Sequence, residues 1–227
     1  MRRRGLLAAT SALPLLCAGR SALAATNDAE ILVERTRVAL LEFQNDREIF
    51  PSVSLYVQNA YGVLIVPNQV KLGFILGGSA GRGLLLARDT TTGVWSDPAV
   101  YGIYGASVGL QLGGQASDAI YTIMNKPALD RLVASTSFKM GADASGALGP
   151  IGAGVGAGTT PNFGEDIYLF ALNAGLFGGF AVDGTVTVPM PSWNKELYGR
   201  DVAVSEILQG SVMNPATEPL KQVLSQF

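Results

Sequence analysis

The stretch YGVLIVPNQVKLGFILGGSAGRGLLLARDTTTGVWSDP, residues 61–98, decides the fold class. It opens the central part of the chain, residues 61–184, which holds 24 of the 28 glycines together with long apolar runs. Apolar runs that are separated by glycine, proline and short polar turns are typical of antiparallel hairpins. No part of this region before Lys126 has the periodicity of a long amphipathic helix. The centre therefore predicts a glycine-rich sheet, and the flanking regions predict helices.

The boundaries of the apolar runs predict the individual strands. Residues 61–66 form a β-branched run that Pro67 ends, and residues 71–76 follow as a second strand. Residues 77–83 are interpreted as a tight turn between strands. The alternative, a phosphate-binding loop, lacks the Gly-Lys-Ser/Thr sequence that such loops need. Further strands are predicted at residues 84–88, 94–96, 101–112, 119–124, 137–141, 167–172 and 179–188.

The run at residues 101–112 has a second interpretation. Gly105, Gly109 and Gly113 recur every four residues, which is the spacing of a packed pair of membrane helices. Polar residues interrupt the run before it reaches the roughly 20 apolar residues that a membrane-spanning helix needs. A strand with small residues at a close backbone approach is therefore favoured.

Helices are predicted on both sides of the sheet region. Asn27 is a good N-cap with Glu30 as its capping-box partner, and residues 27–45 follow helical periodicity. The apolar stripe of this helix should pack on the sheet, since its polar face carries more acids than a membrane-surface helix would. The stripe consists of Leu32, Val33, Thr36, Ala39, Leu40 and Phe43. Shorter helices are predicted at residues 47–59, 126–134, 191–198, 203–208 and 216–227.

The composition excludes several classes of function. The chain has no histidine, so it lacks the commonest general base, the usual zinc ligand and the Ser-His-Asp arrangement. Its net charge of −2 disfavours nucleic-acid binding. The pair Glu165 and Asp166 could serve metal or acid–base chemistry, but the end of a solvated loop is the favoured interpretation. We therefore expect no enzymatic activity, no metal and no cofactor.

The first 24 residues are predicted to be a cleaved signal peptide. Three arginines precede an apolar segment, and residues 22–24 form a small-x-small cleavage site. The consecutive arginines at residues 2–4, together with Arg20, favour twin-arginine export, with Sec export as the alternative. Cys17, the single cysteine, follows Leu16, which disfavours lipoprotein anchoring. We expect residues 25–227 to form one periplasmic or secreted domain, with peripheral membrane association left open.

A series of motifs follows a fixed order through residues 27–185. The motifs are GVLIVP at 62–67, KLGF at 71–74, the glycines of 77–83, GVWSDP at 93–98, GASVGLQLG at 105–113, DAIYTIMN at 118–125, GP at 149–150 and GLFGG at 175–179. Each motif alone is weak, but together and in order the motifs are specific. This arrangement resembles the SYLF domain, a lipid-binding domain of bacterial exported proteins and of eukaryotic proteins linked to actin patches and endocytosis.

The resemblance implies lipid binding, with phosphoinositides as ligands of eukaryotic members, and no known catalysis. Residues 168–173 lack the basic residues that eukaryotic members tend to have before the GLFGG motif. The basic side chains within residues 71–88 could converge on a phosphate, since arginine forms bidentate hydrogen bonds with phosphate oxygens. Aromatic residues, including Phe163 and Trp193, could line an apolar cavity or belong to the core. The candidate lipid-binding residues are Lys71, Arg82, Arg88, Trp95 and Phe177.

Together these patterns predict an α+β fold. Its centre is a glycine-rich antiparallel β-sheet, barrel- or sandwich-like, flanked by an N-terminal helix and short C-terminal helices. The expected function is non-catalytic binding of lipid or another amphiphile in the bacterial cell envelope, with a lipid or membrane surface as the partner. The alternative is a structural or interaction module of the envelope that binds a protein on the same scaffold.

Overall fold

The chain folds around one eight-stranded sheet with helices on both faces. The computed structural model describes residues 27–73, 76–108, 113–150, 163–172 and 184–227. The helices are α1 (Asp28–Asn45), α2 (Phe50–Asn59), α3 (Lys126–Ala134), α4 (Pro191–Tyr198), α5 (Val204–Leu208) and α6 (Glu218–Leu224), and a 3-10 turn spans Pro215–Thr217. The strands are β1 (Gly62–Gly73), β2 (Leu76–Ala87), β3 (Ala99–Val108), β4 (Gly113–Ile123), β5 (Phe138–Lys139), β6 (Gly146–Leu148), β7 (Ile167–Ala171) and β8 (Thr185–Pro189). The predicted signal peptide at residues 1–24 lies outside the described ranges.

The strand order across the sheet is β5-β8-β3-β2-β1-β4-β7-β6. The long strands β1 to β4 form the middle of the sheet, and the short strands β5 and β6 form its two edges. Every neighbouring pair is antiparallel except β6 and β7, which run parallel. This mostly antiparallel sheet with flanking helices confirms the predicted α+β fold class.

Helix α1 packs on the sheet through the stripe that its periodicity predicts. All six predicted stripe residues are buried, from Leu32 to Phe43. The Asn27 side chain accepts a hydrogen bond from the backbone N–H of Glu30 at 2.7 Å, as an N-cap should. The helix contacts β1, β2, α4 and α6. The prediction that this helix packs against the centre of the chain is therefore confirmed.

Two hydrophobic cores lie on opposite faces of the sheet. Leu84 and Leu86 of β2 pack with residues of α1, α2 and α6 on the face that we call the α1 face. Leu85, between them, points to the opposite face and packs with residues of α3 and α5, such as Leu132 and Ile207. Because successive residues of a strand point to opposite faces, a sheet covered on both sides needs apolar residues at every position. This explains the continuous apolar runs in the sequence.

Strand β1 continues through Pro67, which corrects the prediction that the proline ends it. The register with β2 shifts between Ile65 and Val70, so Pro67 lies in a β-bulge where no ladder hydrogen bond is required of it. Asn68 has a positive φ of 50°, a conformation that asparagine tolerates better than most residues. Its backbone N–H donates to Asp118 Oδ1 of β4 at 2.7 Å. The two predicted strands at 61–66 and 71–76 are thus largely one bulged strand.

The glycine-rich segment 77–83 is part of strand β2, so the prediction of a tight turn is wrong. Gly78 pairs with Leu72 of β1, and Gly83 pairs with Tyr101 of β3. A Cβ on Gly83 would lie 2.5 Å from the Ile65 carbonyl oxygen and 2.8 Å from a methyl group of Val66. The glycine is therefore required by the close approach of the β1 bulge. An extended paired strand also excludes the phosphate-loop alternative, because its amide groups are engaged in the ladder.

The predicted strand at 101–112 is confirmed over its described part, whereas the one at 94–96 is not a full strand. The run at 101–112 is strand β3 up to Val108, and its last four residues lie outside the described ranges. Residues 94–96 form only an isolated bridge between Trp95 and Arg88. Within the described ranges, no helix is both long enough and apolar enough to cross a membrane.

Candidate functional site

A groove of about 450 Å³ lies on the α1 face of the sheet, between α1, the strands β1–β3 and α4. We call it the α1–α4 groove. Ala80 of β2 contributes only a methyl group to the groove, and Gly81 contributes only backbone atoms, since a Cβ on Gly81 would point to the opposite face, 2.6 Å from a methyl group of Val66. The groove is lined by Asp28, Ile31, Leu32, Arg35, Pro67, Asn68, Val70, Ala80, Gly81, Arg82, Tyr104 and Trp193.

Arg82 contacts one aromatic side chain of this groove and shares a face of the sheet with another. Its guanidinium carbon is 4.6 Å from the centre of the Trp193 ring, which is a cation–π contact. Tyr104 lies over Gly102, since its Cε2 atom is 3.0 Å from the position of a Cβ on that glycine. Gly102 is the register partner of Arg82 across β2 and β3. The tyrosine ring is thereby placed beside the arginine on the same face.

Several apolar side chains of the groove are unusually open to solvent. Ile31, Val70 and Tyr104 are 36%, 41% and 46% exposed, respectively. Val38, one helical repeat after Ile31 on α1, is 41% exposed and extends the same side of the helix. Exposed apolar residues that gather in one place mark binding surfaces more often than scattered ones do.

The two arginines of the groove are not neutralised within the part of the chain that the structure describes. Neither Arg35 nor Arg82 takes part in an ion pair there, and Asp28 is the single acid that lines the groove. Other basic residues do form ion pairs. These are Arg37, Lys126, Lys195, Arg200 and Lys221.

Helices α1 and α4 are tied together at one end of the groove. The Glu196 carboxylate of α4 accepts a hydrogen bond from the backbone N–H of Asp28 at 2.7 Å. The Asn27 side chain donates to the backbone carbonyl of Glu196 at 3.3 Å. A carboxylate at a helix N-terminus is favourable because it meets unpaired N–H groups and the positive end of the helix dipole. These two hydrogen bonds therefore join α1 and α4 at this end of the groove.

The structure does not bring the three predicted basic residues together. Arg82 lies in the α1–α4 groove. Lys71 of β1 is the register partner of Ser79 on β2. Ser79 and Arg82 are an odd number of positions apart on β2, so Lys71 lies on the face of the sheet opposite to Arg82. Burial lowers the pKa of the Lys71 ammonium group. The sequence proximity of these bases therefore does not produce one basic cluster.

Arg88 and Trp95 line a second cavity, of about 570 Å³, near the C-terminal helices. The Arg88 guanidinium lies 6.0 Å from the Trp95 ring centre and donates to the backbone carbonyl of Gln58. Trp95 is only 7% exposed and belongs to the core. Phe177, the fifth predicted binding residue, lies outside the described ranges.

The acidic pair before β7 has a structural role. Burial raises the pKa of the Asp166 carboxyl, but hydrogen bonds from Ser145 and Asn125 outweigh it and hold the pKa below its usual value. The Ser145 backbone N–H donates to Asp166 at 2.8 Å and fixes the start of β6 against β7. In the described ranges, no group of three or more potential metal-ligating side chains occurs. The loop-end interpretation therefore fits the hydrogen bonds that Asp166 accepts.

The sequence predicts Arg82 as a binding residue but does not predict which residues join it in the groove. The sequence predicts Trp193 only as a core or cavity aromatic and assigns Arg35 no role in binding. One signal was available: Arg82 shares its alternation with Leu84 and Leu86, so it must lie on their face of the sheet. The contact with α4, more than 100 residues later in the chain, left no local signal.

The comparisons with known proteins identify the family. The family model described as Ysc84, Las17-binding protein actin regulator, matches residues 104–227. This chain belongs to the Ysc84, or SYLF, family. The SYLF match includes Tyr104 and helix α4 of the groove, and the resemblance in the motifs is thereby confirmed.

Curated relatives extend the SYLF similarity to most of the chain. The SH3 domain-containing protein PJ696.02 of Schizosaccharomyces pombe is 32% identical over 182 residues, 79% of this chain and 41% of that protein. The SH3 domain-containing YSC84-like protein 1 of Bos taurus is 27% identical, over 75% of this chain and 50% of its own length. LAS seventeen-binding protein 3 of Saccharomyces cerevisiae is 28% identical, over 80% and 39%. The chain thus spans half or less of the length of these relatives.

Proposed function

We propose that this SYLF chain is a non-catalytic binding module that holds a protein partner in the α1–α4 groove. The observation that carries this proposal is the groove itself, where exposed apolar side chains lie beside two arginines that form no ion pair with the residues that the structure describes. Such a site offers both the apolar area that drives association and the polar groups that orient a partner. The names of the relatives, which include a LAS seventeen-binding protein, support a protein as the class of partner.

Site-specific photo-crosslinking tests the proposal. A photoreactive amino acid replaces Tyr104, which is 46% exposed in the groove, or Leu148, which is 55% exposed on the edge strand β6. Both positions are apolar and solvent-accessible, so the second is a matched control. After irradiation in an extract of the source organism, we expect a discrete protein adduct from position 104 and none from position 148. Equal adducts from both positions, or none from position 104, would contradict the proposal.

Lipid binding is the second candidate, and one observation favours it. The arginines of the groove lie beside exposed apolar residues, an arrangement that anionic headgroups and acyl chains also satisfy. Flotation with neutral and anionic liposomes tests this candidate. Arg82-dependent flotation with anionic vesicles would support it, and no flotation with either composition would remove it.

Export to the periplasm or the exterior also remains a proposal, based on the basic and apolar residues 1–24. Mass spectrometry of the protein isolated from its host gives the N-terminus directly. Cleavage after Ala24 would support export, and an intact Met1 on all of the folded protein would contradict it.

A further inference from the structure

We propose that the α1–α4 groove recognises a short acidic peptide segment, in which carboxylates flank an aromatic or large aliphatic residue. This inference rests on the proposed function, because it names the chemistry of the protein partner. It follows from the charge, the shape and the surroundings of the groove.

Two arginines, Arg82 and Arg35, give the groove its positive charge. The guanidinium carbon of Arg82 lies over the Trp193 ring, 4.6 Å from its centre, and the Arg82 side chain is exposed, so its N–H groups can reach a ligand in the groove. A guanidinium edge matches a carboxylate through two parallel hydrogen bonds. Stacking also reduces the conformational entropy that the arginine loses on binding. Arg35 on α1 provides a second cation on another wall of the same groove.

The exposed apolar residues of the groove indicate the apolar part of the ligand. Ile31, Val70 and Tyr104 keep more than a third of their surface exposed around the arginines. A groove of about 450 Å³ is in the range of small-ligand sites and therefore takes a few side chains only. One bulky apolar side chain between carboxylates would cover the exposed residues.

The acidic charge of the protein disfavours a broad anionic surface, such as a bilayer or a nucleic acid, as the occupant of the groove. Asp28 lines the groove, the Glu196 carboxylate lies at one end of it on the Asp28 N–H, and the net charge of the whole chain is −2. A bilayer or a nucleic acid would bring many negative charges against these acids. A peptide with one or two carboxylates brings only the charges that the arginines can neutralise.

Fluorescence anisotropy with a defined probe tests this inference. The probe is a short fluorescein-labelled peptide of glycine and serine with a central Glu-Phe-Glu. Matched peptides carry Gln-Phe-Gln or Glu-Ser-Glu, which remove the charge or the apolar side chain. We expect the first peptide to bind and each matched peptide to bind roughly tenfold more weakly or not at all.

The variants locate the binding. Arg82→Gln should weaken binding of the Glu-Phe-Glu peptide by about tenfold, and Arg82→Lys should have a smaller effect because it keeps the charge but loses the planar fork. Arg131→Gln is the matched control, since Arg131 is exposed on α3, which covers the opposite face of the sheet. Its affinity should equal that of the unchanged protein. Circular dichroism confirms that all three variants are folded.

Three outcomes would overturn the inference. No binding of the peptide, while position 104 still yields protein adducts, would remove the acidic-peptide chemistry and leave the proposed function intact. Equal loss in Arg82→Gln and Arg131→Gln would show that binding is a general charge effect. Arg82-dependent binding of anionic liposomes without peptide binding would assign the groove to a membrane.

Discussion

At the residue scale, Gly83 shows how closely β1 and β2 approach at the bulge. A Cβ there would lie 2.5 Å from the Ile65 carbonyl oxygen, which is backbone and cannot move aside cheaply. We expect Gly83→Ala to lower the free energy of unfolding by about 1–3 kcal/mol, because overpacking strains the surrounding backbone. Urea denaturation followed by circular dichroism measures the change.

Gly164→Ala is the control for that substitution. Nothing lies within 4 Å of a Cβ on Gly164, so its replacement should change the free energy of unfolding by less than about 0.5 kcal/mol. If the two variants were equally stable, the close approach at the bulge would be wrong.

A second prediction at this scale concerns Glu42 of α1. Burial raises the pKa of its carboxyl, and the neighbouring Asp118 carboxyl raises it further through a hydrogen bond and charge repulsion. The folded protein therefore holds this proton to higher pH than the unfolded chain, and stability falls as pH rises through the Glu42 pKa. We expect Glu42→Gln to raise the thermal unfolding midpoint at pH 7 and to flatten its dependence on pH above about 4.

Glu34 provides a control of opposite sign on the same helix. A hydrogen bond from Arg37 lowers the pKa of the Glu34 carboxyl, so its contribution to stability is present at neutral pH and is lost as pH falls. Glu34→Gln should therefore leave the midpoint at pH 7 unchanged or slightly lower, since this ion pair is exposed. An increase in stability at pH 7 for Glu34→Gln and not for Glu42→Gln would contradict the assignment.

At the element scale, Asp97 holds the C-terminal helices to the start of β3. Its side chain is 3% exposed and accepts hydrogen bonds from the Thr217 hydroxyl and from Lys221, the latter at 3.3 Å. We expect Asp97→Ala to cost about 3 kcal/mol of unfolding free energy, because it removes one member of a buried charge pair. Chemical denaturation gives this value.

Asp201 offers the matched comparison for Asp97. It also pairs with a lysine, Lys195, at 2.8 Å, but both side chains are mostly exposed. Exposed pairs contribute about 0–1 kcal/mol, so Asp201→Ala should have little effect. Similar costs for the two substitutions would mean that Asp97 does not anchor the helices.

The helices could be predicted closely from local signals. Residues 126–134 and 191–198 match α3 and α4 exactly. For α3, Asn125 caps the helix by accepting from the Ala128 N–H, while for α4 the left-handed Gly199, with φ 69°, ends it. Caps and breakers act within a few residues, so the sequence carries them directly.

The sheet could be predicted in class but not in detail. Pro67 and the glycines of 77–83 are turn signals in isolation, yet both lie inside long strands. Pairing with β4 and β3 decides their conformation, and the bulge makes the glycines necessary. Long-range pairing therefore overrides local preference at these two places.

At the scale of the whole molecule, the sheet separates two faces, each with its own hydrophobic core. The α3 and α5 face is covered by the second core, whereas the α1 face leaves the α1–α4 groove open beside α1. The groove could be predicted only in part, because Arg82, Tyr104 and Trp193 come from three distant elements. Their meeting depends on the strand register and on the packing of α4, which sequence periodicity does not report.

Hydrogen–deuterium exchange, measured with and without the protein captured by crosslinking, shows whether that partner binds in the α1–α4 groove. We expect slower exchange on binding in α1, in residues 67–70 and 80–82, and in α4, with α3 and β6 unchanged. Protection confined to the cavity around Arg88 and Trp95, or to α3, with no change along the α1–α4 groove, would contradict it.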